Sequence, residues 1–207
     1  MTAVENDLVE GVYGRLAGVY DLVYGAVLHP GRLRALERMA LQPGERILEV
    51  GVGTGINATL YPPGCAVVGI DLSPAMLDKA RQRCARHGVR HVRLLVMDAA
   101  AMTFPDQSFD VVYAPYLVSV VPDPVKVTRE MQRVCRRGGR LVILNHFRSE
   151  GRVMAALEQA ISPLTRYVGF KADLDLPGFL AQAGLAPFTI DKVNFPPIWS
   201  LITCING

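Results

Sequence analysis

Cysteine pairs and metal-binding clusters are absent from this sequence of 207 residues. Its four cysteines stand far apart, and none belongs to a CxxC pair: Cys65, Cys84, Cys135 and Cys204. Such spacing argues against a zinc cluster and against a disulfide framework. We therefore expect buried, small apolar cysteines in a reducing cytoplasm, and a site that uses no metal ion.

Long apolar runs and charge of one sign are also scarce. The longest nearly apolar run, residues 111–122, falls short of the roughly 20 residues that span a bilayer as a helix. The net charge of +3 is too small to indicate a nucleic-acid partner, although it is compatible with an anionic surface. The first ten residues include three acidic side chains, where a signal peptide would be basic and then apolar. These features predict a soluble, cytoplasmic protein with no nucleic-acid partner.

The hydrophobic residues, which make up half of the chain, occur in short runs separated by amphipathic segments. Strands are predicted at 46–50, 66–73, 92–99, 109–118 and 140–147, and helices at 31–40, 75–88 and 123–139. Because strands that are apolar on both faces belong inside a parallel sheet, we expect an α/β fold with helices on both faces. Two final strands, 188–195 and 199–206, are predicted to complete the sheet as an antiparallel hairpin.

The remaining segments are predicted to be helical additions to a single domain, residues 1–207. Apolar residues spaced three and four apart from Val4 to Val27 predict an amphipathic helix, so residues 1–40 are expected to form an N-terminal helical segment. A second helical segment is predicted as an insertion at 148–184. Ligands of parallel sheets lie beyond the carboxyl ends of the strands, so the site is expected at that edge.

Three glycines follow the first predicted strand in the segment EVGVGTG: Gly51, Gly53 and Gly55. A dinucleotide-binding loop has the spacing GxGxxG, and here Ile56 occupies the position of its third glycine. This departure weakens the dinucleotide interpretation. Asp71 ends the second predicted strand, where a carboxylate can accept both hydroxyl groups of a ribose. That role serves NAD and S-adenosylmethionine (SAM) equally.

Together with Glu49, this loop resembles motif I of the class I SAM-dependent methyltransferases. The segments SPAMLDKAR, FPDQSFDVV and RVCRRGGRLVI are similar to the same family in matching order, so the resemblance covers about residues 40–146. It implies a Rossmann-like class I methyltransferase fold, with a mostly parallel seven-stranded sheet, helices on both faces and an antiparallel C-terminal hairpin. It also implies SAM as the cofactor, with Glu49 facing its ammonium group and Asp98 accepting from the adenine amino group. The implied cofactor contacts are Glu49, Gly51, Gly53, Gly55, Asp71, Leu72, Met76, Asp98 and Ala99.

Tyrosines near the predicted site suit an acceptor that is a cationic amine, because aromatic faces attract ammonium groups. Tyr13 and Tyr20 lie seven residues apart on one helical face, and Tyr116 follows the fourth predicted strand. Core packing explains the pairing of Tyr13 and Tyr20 equally well. His146 ends the fifth predicted strand, and it is a candidate either for taking a proton from an ammonium acceptor or for a structural hydrogen bond.

Four segments resemble the soluble bacterial phosphatidylethanolamine N-methyltransferases: GVYGRLAGVYDLVYGAVLHPGR, ILEVGVGTG, YAPYLVSVVPDP and LNHF. This resemblance implies successive methylation of the phosphatidylethanolamine head group to phosphatidylcholine, with head-group contacts from Tyr13, Tyr20, Tyr116, Asn145 and His146. It also implies a peripheral enzyme at the inner face of the cytoplasmic membrane, with residues 1–40 as a lid. Quinone-biosynthesis C-methyltransferases share the cofactor motifs and are an alternative. A SAM-binding module without catalysis is another.

The N-terminal segment has the wrong charge for a helix that lies on anionic lipid. Residues 1–28 carry four acidic side chains and a single arginine. Attraction to an anionic membrane is expected instead from other cations, and the candidates are Arg32, Arg34 and Arg38, the arginines from Arg81 to Arg93, and Arg148, Arg152, Arg166 and Lys171. The last group, in the insertion, is preferred because it is mixed with apolar residues. A solvated lid is an equally good interpretation of the insertion. We expect the protein to be a monomer.

Overall fold

One sheet of seven strands organises the part of the chain that the computed structural model describes, residues 28–147, 174–195 and 197–207. In chain order the strands are β1 (Arg46–Val50), β2 (Ala66–Asp71), β3 (Val92–Val96), β4 (Phe109–Pro115), β5 (Cys135–His146), β6 (Pro187–Val193) and β7 (Trp199–Ile205). Their order across the sheet is β3-β2-β1-β4-β5-β7-β6. The first five strands pair in parallel, and β7 runs antiparallel to both β5 and β6. The predicted mostly parallel sheet with an antiparallel C-terminal hairpin is confirmed.

The helices begin at caps that can be read from the sequence. The structure describes α1 at residues 28–39, α2 at Pro74–Arg86, α3 at Pro124–Val134 and α4 at Leu176–Ala183. Ser73, Asp123 and Asp175 precede the last three helices, and each side chain accepts a hydrogen bond from a backbone N–H of the first turn. A proline also stands in each of these first turns, where its missing N–H costs no intrahelical bond.

Helices cover both faces of the sheet because successive strand residues point to opposite sides. Leu48 of β1 belongs to a buried cluster with Met131 of α3 and Phe179 of α4. Its neighbour Ile47 belongs to a second buried cluster, which contains Met39 of α1. The predicted two-sided coverage is therefore confirmed, and α1 covers the face opposite to α3 and α4.

The turn between β6 and β7 reaches the edge of the sheet at which the parallel strands end. Because β7 is antiparallel to β5, its first residue Trp199 pairs with His146, the last residue of β5. Trp199 also pairs with Val193 at the end of β6. Asn194, which follows Val193, is thereby brought to the same edge as the loops after β1, β2, β3 and β4.

The helix predicted over 123–139 is shorter than expected. It ends at Val134, and β5 starts directly at Cys135. The side-chain amide of Asn206 donates to the carbonyls of Gln132 and Cys135, at 2.9 and 2.8 Å. These bonds satisfy carbonyls that a helix end leaves without an intrahelical partner. Asn206 lies 74 positions from Gln132, so local periodicity cannot reveal this stop.

Several predicted features lie wholly or partly outside the described residues. Of the N-terminal segment 1–40 the structure describes α1, and of the insertion 148–184 it describes α4. Outside the described ranges lie Tyr13, Tyr20, Arg148, Arg152 and Arg166. Within those ranges, no helix is long and apolar enough to cross a bilayer, and no cluster of three or more His, Cys, Asp or Glu could hold a metal ion. All four cysteines are buried and unpaired, as predicted.

Candidate functional site

The glycine loop after β1 bends sharply under the carboxyl edge of the sheet. Gly51, Gly53 and Gly55 all have left-handed backbone, with φ of +75°, +55° and +75°. A Cβ on Gly55 would lie 2.9 Å from the Cβ of Ala80 in α2, so this glycine allows the loop to pack closely on the helix. A Cβ on Gly53 would meet no atom within 4 Å. The loop therefore presents its backbone at Gly53 to open space.

Asp71 fixes this loop from the end of β2. Its Oδ2 accepts a hydrogen bond from the Gly53 N–H at 2.8 Å, and its Oδ1 accepts one from the Ser73 N–H at 2.9 Å. Burial raises the pKa of the Asp71 carboxyl, although these backbone N–H groups favour its ionised form. Each carboxylate oxygen has a second lone pair, so Asp71 can still accept from a diol. Next to it, Leu72 is 48% exposed, although it is apolar.

The end of β3 supplies the next side chains along the edge. The Met97 N–H donates to the Asp71 carbonyl at 3.0 Å, so the ends of β2 and β3 are adjacent. Asp98 is exposed, and its Oδ1 accepts from the Ala100 N–H at 2.8 Å. Val96, the last residue of the edge strand β3, is apolar and 53% exposed. The predicted contacts Met76 and Ala99 are half-buried near this edge.

These features fit SAM. An open loop backbone lies beside a carboxylate that can bind ribose hydroxyls, and exposed Leu72 and Val96 provide apolar surface for an adenine ring. Asp98 stands at the neighbouring strand end, where the resemblance places an acceptor for the adenine amino group. Sequence reasoning missed Val96, because its apolar character within a strand signals only the core.

Glu49 lies beneath the loop rather than in the open part of the site. It is 1% exposed, and both of its oxygens are engaged: Oε1 accepts from Asn57 Nδ2 at 2.6 Å and Oε2 from the Tyr61 hydroxyl at 2.8 Å. Arg32 Nη1 in turn donates to Asn57 Oδ1 at 2.9 Å. Burial raises the pKa of Glu49 to about 7, against the opposing effects of these hydrogen bonds and of the Arg32 charge. The predicted contact between Glu49 and the cofactor's ammonium group stays a prediction.

Tyr116 stands where β4 ends, at the predicted acceptor side. It has left-handed backbone with φ of +57°. Its hydroxyl donates to the Leu28 carbonyl at 2.9 Å and accepts from Asn194 Nδ2 at 3.2 Å. The Arg32 guanidinium lies over the ring, 4.9 Å from its centroid. One face of the ring is therefore covered by a cation of the protein itself.

His146 and Asn145, the other predicted head-group contacts, are buried at the end of β5. Asn145 is fully buried, donates from Nδ2 to the His146 carbonyl at 2.7 Å, and accepts from the Ser119 hydroxyl at 3.3 Å. His146 is 4% exposed, and its ring centroid is 6.2 Å from that of Trp199 in an edge-to-face arrangement. Asn145 is thus held by protein groups, and Trp199 is an aromatic neighbour of the site that sequence reasoning missed.

Known proteins are similar to this chain in sequence, over different shares of its length. The family described as a methyltransferase domain matches residues 48–143. The chain is 43% identical over 183 residues to the phosphatidylethanolamine N-methyltransferase of Cereibacter sphaeroides, covering 88% of this chain and 89% of that protein. It is 37% identical over 141 residues to the demethylmenaquinone methyltransferase of Thermus thermophilus, covering 64% of this chain and 63% of that protein.

A solved structure resembles the fold. The phosphoethanolamine N-methyltransferase 2 of Haemonchus contortus, in complex with SAM, aligns with a TM-score of 0.70 at 20% identity, covering 86% of this chain and 53% of that one. At this level of identity the likeness concerns the fold alone.

Proposed function

The chain belongs to the class I SAM-dependent methyltransferases, and on that premise we propose that it methylates the amino group of phosphatidylethanolamine, successively, to phosphatidylcholine. SAM is the cofactor of this family, and the loop, Asp71 and the exposed apolar side chains at the strand ends fit it. The identity of the methyl acceptor, phosphatidylethanolamine, is what we propose here.

The observation that carries the proposal is the extent of the match to the phosphatidylethanolamine enzyme of Cereibacter sphaeroides. That match covers 88% of this chain, whereas the match to the Thermus thermophilus quinone enzyme covers 64%. The cofactor region is common to both kinds of enzyme. Similarity that extends to the rest of the chain supports a shared acceptor, because the acceptor side is built from the segments around that region.

The contacts of Tyr116 also support an amine acceptor. When bound, SAM would supply a methyl group on a sulfonium: an uncharged amine would attack the methyl carbon in line, and S-adenosylhomocysteine would leave as a neutral thioether. The protein's part is to align the amine and to exclude water. In this proposal the aromatic ring of Tyr116, which attracts cations, helps to hold the ammonium group at the acceptor edge. In this proposal Tyr13 and Tyr20 complete the aromatic surroundings, and His146 takes the amine proton.

We place the enzyme at the inner face of the cytoplasmic membrane, where its lipid substrate lies. Arg148, Arg152 and Arg166 are the proposed contacts with anionic lipid, because the N-terminal 28 residues carry mostly acidic charge. Sedimentation with anionic vesicles tests this part. Replacing the three arginines by glutamate should release the protein from the vesicles, and unchanged sedimentation would contradict the assignment.

The acceptor is tested with methyl-labelled SAM and vesicles that contain either phosphatidylethanolamine or phosphatidylcholine alone. We expect label in mono-, di- and trimethylated head groups only with the first vesicles. Tyr116→Ala should lower turnover about tenfold at saturating SAM, since cation–π contacts contribute about 0.5–2 kcal/mol. Tyr116→Phe keeps the ring and should be the milder variant. Absence of labelled lipid from a protein that binds SAM would refute the proposed acceptor.

A quinone precursor is the second candidate, favoured by the 37% identity to the Thermus thermophilus enzyme. Demethylmenaquinone presented in the same phosphatidylcholine vesicles tests it in parallel. Label in the quinone and none in the lipid would replace the first proposal by this one. An apolar acceptor would also be insensitive to the cation–π contribution of the ring, so Tyr116→Phe and Tyr116→Leu, which both keep a large apolar side chain, would then behave alike.

A further inference from the structure

Arg32 is the point at which α1 contacts both halves of the site. Its Nη1 donates to Asn57 Oδ1 at 2.9 Å below the glycine loop, and its guanidinium lies 4.9 Å from the centroid of the Tyr116 ring. The Arg32 Nε is buried and has no hydrogen-bond partner among the residues that the structure describes. Arg32 as a whole is half-buried, but a buried donor left unpaired is costly, so its place between these two groups calls for a compensating role.

On the cofactor side, Asn57 links Arg32 to Glu49 through two hydrogen bonds. Asn57 is 1% exposed, and its amide is engaged at both ends, accepting from Arg32 and donating to Glu49 at 2.6 Å. The orientation of this amide is therefore fixed by Arg32. With the carbonyl end taken by a guanidinium, only the N–H end can face Glu49, which favours an ionised Glu49.

On the acceptor side, Arg32 belongs to a tight contact between α1, Tyr116 and Asn194. The Gly31 N–H donates to Asn194 Oδ1 at 2.6 Å, and Asn194 donates to the Tyr116 hydroxyl at 3.2 Å. A Cβ on Gly31 would lie 2.7 Å from Asn194 Oδ1 and 3.0 Å from the Tyr116 hydroxyl oxygen. The ring of Tyr116 is thus held at its edge by Asn194 and Leu28 and on its face by Arg32.

We propose that Arg32 is a positioning residue, which holds the Asn57–Glu49 pair under the cofactor loop and the Tyr116 ring at the acceptor edge through one guanidinium. The half that concerns Glu49 rests on the predicted contact between ionised Glu49 and the ammonium group of the family's cofactor. The half that concerns Tyr116 rests on the proposed function, because Tyr116 is an acceptor contact only there. Arg32 need touch neither SAM nor the acceptor to act in this way.

Several charged or titratable groups surround Glu49, and the test must separate Arg32 from them. They are Arg32 from α1, Tyr61 from the loop after β1, Asp71 from the end of β2, Cys84 from α2 and Tyr113 from β4. Arg32 is the cation in this set, and it lowers the pKa of Glu49 while Asp71 raises it. Loss of the Arg32 charge should therefore raise the pKa of Glu49 further above 7.

The test measures the dissociation constant of SAM from pH 5.5 to 9 for the wild-type protein and four variants. Arg32→Gln keeps an N–H donor for Asn57 and removes the charge, whereas Arg32→Lys keeps the charge. Arg34→Gln is the matched control, because Arg34 lies on the same helix and pairs with Glu37 at the exposed surface, at 2.7 Å. Asn57→Ser removes the side-chain amide that donates to Glu49 and leaves Arg32 unchanged.

For wild type we expect SAM affinity to fall as the pH decreases through the pKa of Glu49. Arg32→Gln should move this midpoint upward by about one pH unit, the order of size for a charge lost within a partly buried network. Asn57→Ser should move it in the same direction, while Arg32→Lys and Arg34→Gln should leave it in place. Equal midpoints in wild type and Arg32→Gln would overturn the proposal, even if the variant bound SAM more weakly at every pH.

The acceptor half is measured separately, as kcat/KM for phosphatidylethanolamine vesicles at pH 9 and saturating SAM. Arg32→Gln and Arg32→Lys should both lose about tenfold, because neither side chain reproduces the planar contact with Tyr116. Wild-type values in both would overturn this half. If wild type itself methylates no phosphatidylethanolamine, the proposed function fails, and the SAM midpoints still decide the role of Arg32.

Discussion

Substitution of single glycines in the loop after β1 should separate cofactor binding from stability. Gly53 and Gly55 both have left-handed backbone, so alanine at either position costs about 1–2 kcal/mol of conformational strain. Their surroundings differ. A Cβ on Gly53 meets nothing within 4 Å, whereas a Cβ on Gly55 would lie 2.9 Å from the Ala80 Cβ and 3.0 Å from its Cα.

The magnitudes follow from this difference. Gly55→Ala adds an overpacking cost of about 1–3 kcal/mol to the strain, because the atoms it meets belong to the body of α2 and cannot rotate away. Gly53→Ala adds no such cost to the folded protein, but its methyl group points into the space where SAM binds. We therefore expect Gly55→Ala to melt roughly 2–12 °C below Gly53→Ala. Gly53→Ala should bind SAM about tenfold more weakly than wild type.

The assay combines thermal and urea unfolding without cofactor with calorimetric titration of SAM. Gly88→Ala is the control for strain alone, because Gly88 has φ of +68°, its Cβ would also meet open space, and it follows α2 at the opposite edge of the sheet. It should lose about 1–2 kcal/mol and bind SAM normally. The reasoning would be refuted if Gly53→Ala were as unstable as Gly55→Ala, or if it bound SAM with wild-type affinity.

Three further substitutions test other contacts. Because burial raises the pKa of Glu49 from 4.5 to about 7, Glu49 destabilises the fold as the pH rises through this window. The unfolding free energy of Glu49→Gln relative to wild type should therefore increase between pH 5 and pH 8, by about 3 kcal/mol. Arg133→Met should lose about 1–3 kcal/mol in urea unfolding, because Arg133 binds Glu130, Asp106 and two loop carbonyls, whereas Arg129→Met removes one exposed bond and should lose less. Asp71→Asn should weaken SAM about tenfold in titration, and the exposed Asp78→Asn should not.

Most of the fold could be predicted because its signals are local. Buried strands are short apolar runs, and three helices start at a Ser or Asp followed by a proline within the first turn. Prediction from sequence failed where contacts with a residue distant in the sequence determine the local structure. The helix over 123–139 was extended too far because Asn206, 74 positions from Gln132, supplies the groups that end it.

The candidate site shows the same division. Asp71 and Gly53 were predicted from adjoining motifs, and the structure joins them by a hydrogen bond. The contacts of Arg32 with Asn57, 25 positions away, and of Tyr116 with Asn194, 78 positions away, have no counterpart in the sequence pattern. Arg32 is one of three arginines within seven residues of α1, and the sequence pattern does not distinguish it from Arg34 and Arg38. Its contacts appear only when the fold places it between the buried Asn57 and the half-buried Tyr116.

The geometry also explains why the loop lacks the third glycine of a dinucleotide fingerprint. In that fingerprint the third glycine permits close packing between helix and strand, and the helix start that follows binds a pyrophosphate. Here Gly55, one residue earlier, provides the close approach to Ala80. The chain then enters only a three-residue 3-10 turn, Asn57–Thr59, with no side-chain cap. A turn this short presents no helix N-terminus to a phosphate, and SAM carries none. Moving the packing glycine one position earlier therefore keeps the close packing and gives up the phosphate site.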